Sequence, residues 1–240
     1  MTEPWSARTD LVAAVRAQLA RAADPARAVA QQRYMKSALP FHGVAMAQVR
    51  RIVRDLAGAH PITTAAQWEA TVRALWDGAT HREERYAATA LARQPRYRAF
   101  RTTATLPLLR HMIGTGAWWD HVDEIASHLL GEVLQREPHV VAPVLRDWAD
   151  DDDMWVRRSA ILAQLRAKAA TDTDLLAHCL EANLTGSRHG GEFFVRKAVG
   201  WALREYAKTD AAWVQAFLAE HRDRLSPLSV REASRHLARA

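Results

Sequence analysis

The sequence predicts an all-α protein, and three observations support that class. Apolar residues recur at three- and four-residue intervals along most of the chain, which is the periodicity of an amphipathic helix. No stretch alternates convincingly with the two-residue period of a half-buried strand. Proline, glycine and Asp/Thr groups interrupt the helical pattern at short intervals, as expected for helix ends joined by turns.

The helical pattern divides the chain into about a dozen segments. In chain order they span 6–22, 25–38, 44–58, 64–77, 81–93, 97–113, 117–131, 133–149, 153–168, 172–184, 192–208, 210–222 and 227–238. Five prolines lie at or near the starts of these segments or in the turns before them, where a missing N–H is tolerated: Pro25, Pro61, Pro95, Pro138 and Pro227. The "TDTD" segment at 171–174 supplies side chains that can cap the next helix.

The spacing of these helices indicates how they are arranged. Helices of three to four turns with short connections favour antiparallel pairs. A pair spacing of roughly 35–40 residues matches an α-solenoid of the HEAT or armadillo kind, whose concave face can hold an extended partner. No glycine-rich linker divides the chain, so we expect a single domain over residues 1–240 with a basic groove. A compact helical bundle is the structural alternative.

The composition favours a soluble protein with an anionic partner. Hydrophobic residues make up 49% of the chain and charged residues 25%, which is ordinary for a globular protein. The net charge of +6 and the pI of about 10.0 favour nucleic acid or an anionic membrane as partner. Compositional bias toward arginine is the simpler explanation of the same numbers.

Several functional classes are disfavoured by what the sequence lacks. A single cysteine, Cys179, excludes an internal disulfide and makes a cysteine-based zinc site improbable. The sequence has no H-E-x-x-H, no G-x-S-x-G and no Cys/His metal-ligand spacing, and the eleven histidines are scattered, so we expect no metal and no cofactor. No secretion signal or membrane-spanning run is visible, and a reducing cytoplasm is expected.

The segment "GAWWDHVDEI" places two tryptophans beside carboxylates. On a helical wheel Trp118 joins the apolar stripe and is expected in the core, whereas Trp119 lies on its flank. Asp123 follows Trp119 by four residues, so the indole and the carboxylate are neighbours at the edge of the buried face. The alternative is a boundary tryptophan beside a solvated aspartate.

The segment predicted at 192–208 carries a tryptophan among cations. Its apolar stripe comprises Val195, Val199, Ala202 and Tyr206. Trp201 lies on a different face, together with Lys197, Arg204 and Lys208. Such a face suits a phosphodiester, because cations contact phosphates while an indole packs on a sugar or base. Coverage of the indole by lysine and arginine stems is the structural alternative.

The segment predicted at 153–168 adds two arginines. Arg158 lies within its apolar stripe, where a guanidinium needs a partner, either a carboxylate or a phosphate in a groove. Arg157 lies nearer the edge of the stripe and is a candidate phosphate contact.

Several stretches resemble the AlkD-like DNA glycosylases, in order over nearly the whole chain. They are "QQRYMKSALPFHGV" (31–44), "WWDHVDEIASHLLG" (118–131), "MWVRRSAILAQL" (154–165), "FFVRKAVGWALREYAKTD" (193–210) and "LSPLSVREASRHLAR" (225–239). The resemblance implies a HEAT-like solenoid that binds duplex DNA in its concave face. It also implies release of cationic purines alkylated at N3 or N7, leaving an abasic site.

The resemblance also assigns roles to particular residues. The catalytic carboxylate of the family matches Asp123, its two active-site tryptophans match Trp119 and Trp201, and its arginine matches Arg158. Arg157, Arg158, Lys197, Arg204 and Lys208 are the expected DNA contacts. The implied partner is double-stranded DNA containing alkylated purines, bound by a monomer in base excision repair or in self-resistance to a genotoxin. The competing hypothesis is a non-catalytic HEAT-type scaffold that binds DNA or protein.

Overall fold

The computed structural model describes residues 5–237, and that part of the chain contains fourteen α-helices and no β-strand. The all-α class predicted from the sequence is therefore confirmed. The described residues form two compact units, one ending at Arg101 and the other beginning at Thr102. The single-domain boundary of 1–240 stays a prediction, and residues 1–4 and 238–240 lie outside the described part.

The first unit is built from five α-helices. They are α1 (Thr9–Arg21), α2 (Pro25–Met35), α3 (Met46–Ala59), α4 (Ala65–Asp77) and α5 (Arg82–Ala92), followed by a 3-10 segment at Pro95–Phe100. Helices α1, α3, α4 and α5 pack on one another, whereas α2 buries only Met35 of its own residues. The core of this unit therefore lies among the four larger helices.

The second unit holds the remaining nine α-helices of the described chain. They are α6 (Leu106–Gly116), α7 (Trp119–Glu124), α8 (Gly131–Arg136), α9 (Pro138–Ala149), α10 (Met154–Leu162), α11 (Thr173–Glu181), α12 (Phe193–Tyr206), α13 (Ala211–Glu220) and α14 (Pro227–Ala233). Helix α9 packs on α10 and α11, α10 packs on α12, and α12 packs on α14. Contacts between helices close in sequence are typical of an α-solenoid.

Two predicted helix boundaries are wrong, and proline explains both. The segment expected at 97–113 is interrupted by extended backbone at Thr102, and α6 begins at Leu106 with Pro107 in its first turn. The break expected near 132 lies instead at Glu137, whose backbone is non-helical before Pro138. A proline disfavours the helical conformation in the residue before it, so Pro138 fixes the start of α9.

Two other segments are shorter than predicted. The helix expected at 153–168 ends at Leu162 and continues as turns. The helix expected at 227–238 ends at Ala233, and its last predicted residue lies outside the described part. By contrast, Asp172 of the "TDTD" segment caps α11 as expected, accepting from the Leu175 N–H at 3.0 Å.

A π-helical segment at Ile125–Leu130 joins α7 to α8 without a break. The hydroxyl of Ser127 donates to the carbonyl of Asp123 at 2.6 Å, four residues earlier. Gly131 follows the π segment and lies so close to α10 that an added Cβ would meet the Ala163 carbonyl oxygen at 2.4 Å. Glycine at this position therefore lets the helix that carries Asp123 approach α10 closely.

The helices in the described part are all too short or too polar to cross a bilayer.

Candidate active site

Helix α7 presents the predicted carboxylate beside a tryptophan. The backbone of Trp118 is extended and α7 begins at Trp119, so Trp118 precedes the helix rather than forming part of its stripe. The expectation of a core Trp118 needs correction, because its side chain is half-buried. The indole packs instead on Trp155 and Phe194, with ring centroids 6.0 and 5.4 Å away.

The rest of the α7 wheel has the predicted orientation. Val122, Ile125 and Leu129 are buried, and they hold the helix against the core. Trp119 and Asp123 are each half-buried and lie one turn apart on the flank of that face. No ring in the described residues stacks on Trp119, so its indole is not part of the aromatic cluster of Trp118, Trp155 and Phe194.

The start of α10 is fixed by its own loop. Asp153 caps the helix by accepting from the Trp155 N–H at 2.7 Å. The guanidinium of Arg157 donates to three backbone carbonyls around this loop, those of Asp150, Asp151 and Ala182. Arg157 is buried, so the expected phosphate contact does not match its position. Its hydrogen bonds instead fix the loop that places the next residue, Arg158.

Arg158 forms a bidentate ion pair with Asp123. Its Nε donates to Asp123 Oδ1 at 2.7 Å and its Nη2 donates to Asp123 Oδ2 at 2.8 Å. Its Nη1 donates to the carbonyl oxygen of Phe194 on α12, and the Arg158 side chain is only 4% exposed. Of the two partners left open by the sequence, the carboxylate is the one observed, and the expected phosphate clamp is not supported. Three helices, α7, α10 and α12, therefore converge on this pair.

The environment of Asp123 has two opposing effects on the pKa of its carboxyl group. Burial raises the pKa of the carboxyl above its ordinary value, while hydrogen bonding and charge attraction from Arg158 oppose that rise. The net shift is upward, because the loss of water outweighs a single arginine. The Asp123 side chain keeps 14% of its surface exposed, so it is not sealed from solvent by the ion pair.

Helix α12 carries the second tryptophan. Val195, Val199 and Ala202 are buried, whereas Tyr206 is half-buried at the end of the predicted stripe. Trp201 is half-buried, and it lies seven residues, about two turns, after Phe194. Both residues therefore face the same side of α12, the side on which the Phe194 ring lies 5.9 Å from the Arg158 guanidinium carbon.

The cations on this face have acidic partners that the sequence did not reveal. Lys197 Nζ and Arg204 Nη1 lie 2.7 and 2.8 Å from the two carboxylate oxygens of Glu232 on α14. Arg235 lies 3.2 Å from the same carboxylate. Glu232 is 3% exposed, and its hydrogen bond from Lys197, with the charges of the other cations, lowers its pKa. The cluster of three cations on one glutamate has an excess of positive charge.

A glycine makes this cluster possible. A Cβ added to Gly200 would lie 2.7 Å from Glu232 Cβ and 2.8 Å from the Ser229 carbonyl oxygen. Helix α14 therefore packs directly against the backbone of α12 at Gly200. Lys208, the last cation predicted on this face, is exposed and pairs with Glu205 at 2.6 Å.

The one cysteine is excluded from nucleophilic chemistry. Cys179 is buried, as expected for a small apolar side chain, and burial raises the pKa of its thiol to about 12. A thiol with this pKa is almost entirely protonated at neutral pH and is a poor nucleophile.

Comparisons with known proteins agree with this fold. The family model for DNA alkylation repair enzymes matches residues 15–237. A solved structure described as a predicted DNA alkylation repair enzyme from Enterococcus faecalis is similar to this chain, with a TM-score of 0.79 and 28% sequence identity. That similarity covers 91% of this chain and 98% of the other. A comparison with curated proteins gives no match. Because the family model covers most of its length, the chain belongs to the DNA alkylation repair enzyme family.

Proposed function

We propose that this protein is a DNA glycosylase that hydrolyses the N-glycosidic bond of N3- and N7-alkylated purines in duplex DNA, leaving an abasic site. The observation that carries the proposal is the Asp123 carboxylate, which is oriented by Arg158 and still partly exposed. Asp123 also lies one helical turn from the half-buried Trp119, so a carboxylate and an indole are available on the same flank of α7.

The chemistry of the proposed substrate suits a site with one carboxylate. Most glycosidases use a second carboxyl group to protonate the leaving group. A purine alkylated at N3 or N7 is already cationic, so it leaves as a neutral base without a proton from the enzyme. The remaining requirement is stabilisation of the cationic sugar that forms as the bond breaks, followed by attack of water.

Asp123 is placed to meet that requirement. Its negative charge stabilises the oxocarbenium-like sugar, and its open oxygen lone pairs can position water and take its proton. Arg158 is a positioning residue in this scheme, because both of its bonds to Asp123 fix the plane of the carboxylate. Its positive charge also keeps the carboxylate ionised against the desolvation that raises its pKa.

The two tryptophans give the site its preference for a cationic lesion. We propose that Trp119 and Trp201 hold the deoxyribose of the damaged nucleotide by stacking and C–H···π contacts. Each indole attracts a positive ring system by about 0.5–2 kcal/mol, which an undamaged neutral base does not gain. Both indoles are half-buried, so each retains a surface for the nucleotide.

The phosphates of the same duplex are assigned to the cations of α12. Lys197 and Arg204 are held by Glu232, and Lys208 is exposed at the end of the helix. We propose that the positive excess of this cluster contacts the DNA backbone. We also propose that the enzyme acts as a monomer, since one lesion engages one site, and that it acts in the cytoplasm.

The proposal is tested with a duplex that contains a single 7-methylguanine. Incubation with the protein is expected to release free 7-methylguanine and to leave an alkali-labile site at that position. The same duplex with an unmodified guanine is the matched control and is expected to remain intact. Binding of the methylated duplex without any base release would contradict the proposal and favour a non-catalytic scaffold. Duplexes with bulky N7 adducts then separate general repair from resistance to a genotoxin.

A further inference from the structure

Two histidines and a glutamate meet in the first unit, which does not contain Asp123. His42 lies in the loop after α2, His81 immediately precedes α5, and Glu84 lies in the first turn of α5. Their potential ligand atoms all lie within 4.8 Å of one another. The sequence gives no indication of this group, because no motif with metal-ligand spacing joins His42 to His81.

The loop that carries His42 is fastened to α5 by its backbone. The Glu83 carboxylate accepts hydrogen bonds from the N–H groups of His42, Gly43 and Val44 at 2.9, 2.8 and 3.0 Å. The N–H of Arg82 donates back to the Pro40 carbonyl at 2.9 Å. Gly43 adopts a φ of +87°, and a Cβ there would meet the Asp24 carbonyl oxygen at 2.0 Å. The two histidines are therefore positioned by fixed backbone rather than by mobile loops.

The carboxylate of Glu84 is oriented by its own partners. Its Oε2 accepts from Arg16 Nε at 2.7 Å, and its Oε1 accepts from the Thr80 hydroxyl at 2.7 Å. Oε1 also lies 3.8 Å from Nδ1 of His81. An oxygen that accepts one hydrogen bond keeps a lone pair for a further partner. Carboxylates that bind metals in proteins are usually oriented by hydrogen bonds from neighbouring donors.

The geometry points to a binding site for a divalent transition metal of the zinc class, held by His42, His81 and Glu84, and we propose that the first unit has this site. Two imidazoles and one carboxylate form a known ligand set for zinc that leaves a further position open. The bound ion would tie the 40–44 loop to the start of α5 and stabilise the first unit.

The two imidazole rings must rearrange slightly to bind an ion. Their centroids are 3.7 Å apart and their planes differ by 11°. Parallel rings cannot both direct an in-plane lone pair at one ion, so binding turns at least one ring out of the stack. Both histidines are half-exposed, and the terminal torsion of a histidine side chain is soft, so this rotation needs no movement of the backbone.

Cobalt(II) is the probe for this site, because a cobalt–imidazole complex in a protein absorbs visible light. Titration of the full chain, free of any affinity tag, is expected to give saturable absorption with one ion per chain. His42→Ala and His81→Ala are each expected to weaken binding by about tenfold or more. The matched control is His139→Ala, an exposed histidine outside the cluster, which is expected to bind cobalt as the parent does.

A second measurement uses zinc and does not depend on colour. Zinc is expected to raise the Tm of the parent and of His139→Ala, and at the same concentration to raise the Tm of His42→Ala and His81→Ala by less. Tm values measured without metal show that each variant is folded. Absence of cobalt binding by the parent, or equal binding by the parent and both cluster variants, would overturn the proposal.

Discussion

Asp123 and Glu232 are two acidic side chains of the second unit that both bind cations but whose pKa values shift in opposite directions. Asp123 has one arginine, keeps 14% of its side-chain surface exposed, and has a raised pKa. Glu232 has Lys197, Arg204 and Arg235, is 3% exposed, and has a lowered pKa. Desolvation by burial is the largest influence on the pKa of Asp123 and exceeds the opposing effect of Arg158. The hydrogen bond from Lys197 is the largest influence on the pKa of Glu232, and the charges of its cations add to it.

The difference separates a carboxylate suited to chemistry from one suited to structure. A carboxylate with a raised pKa and an open side is a stronger base and can still approach a substrate. A fully enclosed carboxylate with three cations is a weak base, and its ion pairs hold α14 against α12. These differences support the proposed roles of both residues, and substitutions at each of them provide a test.

The largest effect is expected for Asp123→Asn. Asparagine cannot stabilise the cationic sugar by charge, so base release should fall by about 100- to 1000-fold. The structure also predicts a cost in stability, since Arg158 is buried and loses its counter-charge, by about 1–3 kcal/mol. Single-turnover release of 7-methylguanine and urea denaturation measure the two effects. Release of 7-methylguanine at the parent rate would contradict a catalytic role for Asp123.

A smaller loss is expected for Arg158→Lys. Lysine retains the charge but cannot form the two parallel hydrogen bonds that orient Asp123, so release should fall by roughly 10- to 100-fold. Arg101→Lys is the control, because Arg101 is also buried and binds backbone carbonyls but belongs to the first unit, which does not contain Asp123. We expect that control to lower the Tm more than the rate constant for release. Equal loss of rate in both variants would contradict a specific positioning role.

Trp201→Ala is expected to reduce release by roughly 2- to 30-fold, the equivalent of one lost cation–π contact. Its indole is half-buried, so the free energy of unfolding should change little. Trp148→Ala is the matched control, since Trp148 is buried in α9 and its truncation should cost about 3–5 kcal/mol of stability. A large fall in the Tm of Trp201→Ala together with normal base release would indicate that this indole has a structural role only.

The smallest effect on release is expected for Glu232→Gln, which should destabilise the fold by about 2 kcal/mol at neutral pH. The pKa of Glu232 is lowered in the folded state, so its contribution is complete above the unfolded-state pKa. That contribution is lost as the pH falls through the lower, folded-state pKa. Parent and variant should therefore differ in unfolding free energy at pH 7 and converge in acid. A difference that persists in strong acid would contradict this assignment.

The sequence predicts a helix boundary well where the residue that sets it lies within one turn of that boundary. Asp172 caps α11 and Pro25 begins α2, because both act on the backbone within one turn. Pro107 and Pro138 act just as locally, and each lies inside a segment that periodicity alone predicts as continuous helix. The π segment after Asp123 has no such local signal, and it lies where this continuous helix approaches the end of α10 closely.

The candidate site is only partly visible in the sequence. Helical spacing pairs Trp119 with Asp123, since both lie on one helix. The sequence does not determine the partner of Arg158, because the choice between a carboxylate and a phosphate depends on the packing of α7 against α10. The sequence does not reveal the role of Glu232 for the same reason, since Lys197 and Arg204 lie on a different helix. The His42, His81 and Glu84 group likewise forms only in the folded unit.

The pH dependence of kcat/KM for 7-methylguanine release tests the central claim most directly, because it reports the pKa values of the free enzyme. After subtraction of the enzyme-free rate, we predict an acidic limb whose apparent pKa lies above the ordinary aspartate value of about 3.9. Replacement of Arg158 by methionine should move that limb to higher pH, since the buried Asp123 carboxylate then lacks its cation, whereas Glu232→Gln should leave it in place. A profile without an acidic limb, or one that Arg158→Met does not move, would contradict the assignment of Asp123 as the group that drives base release.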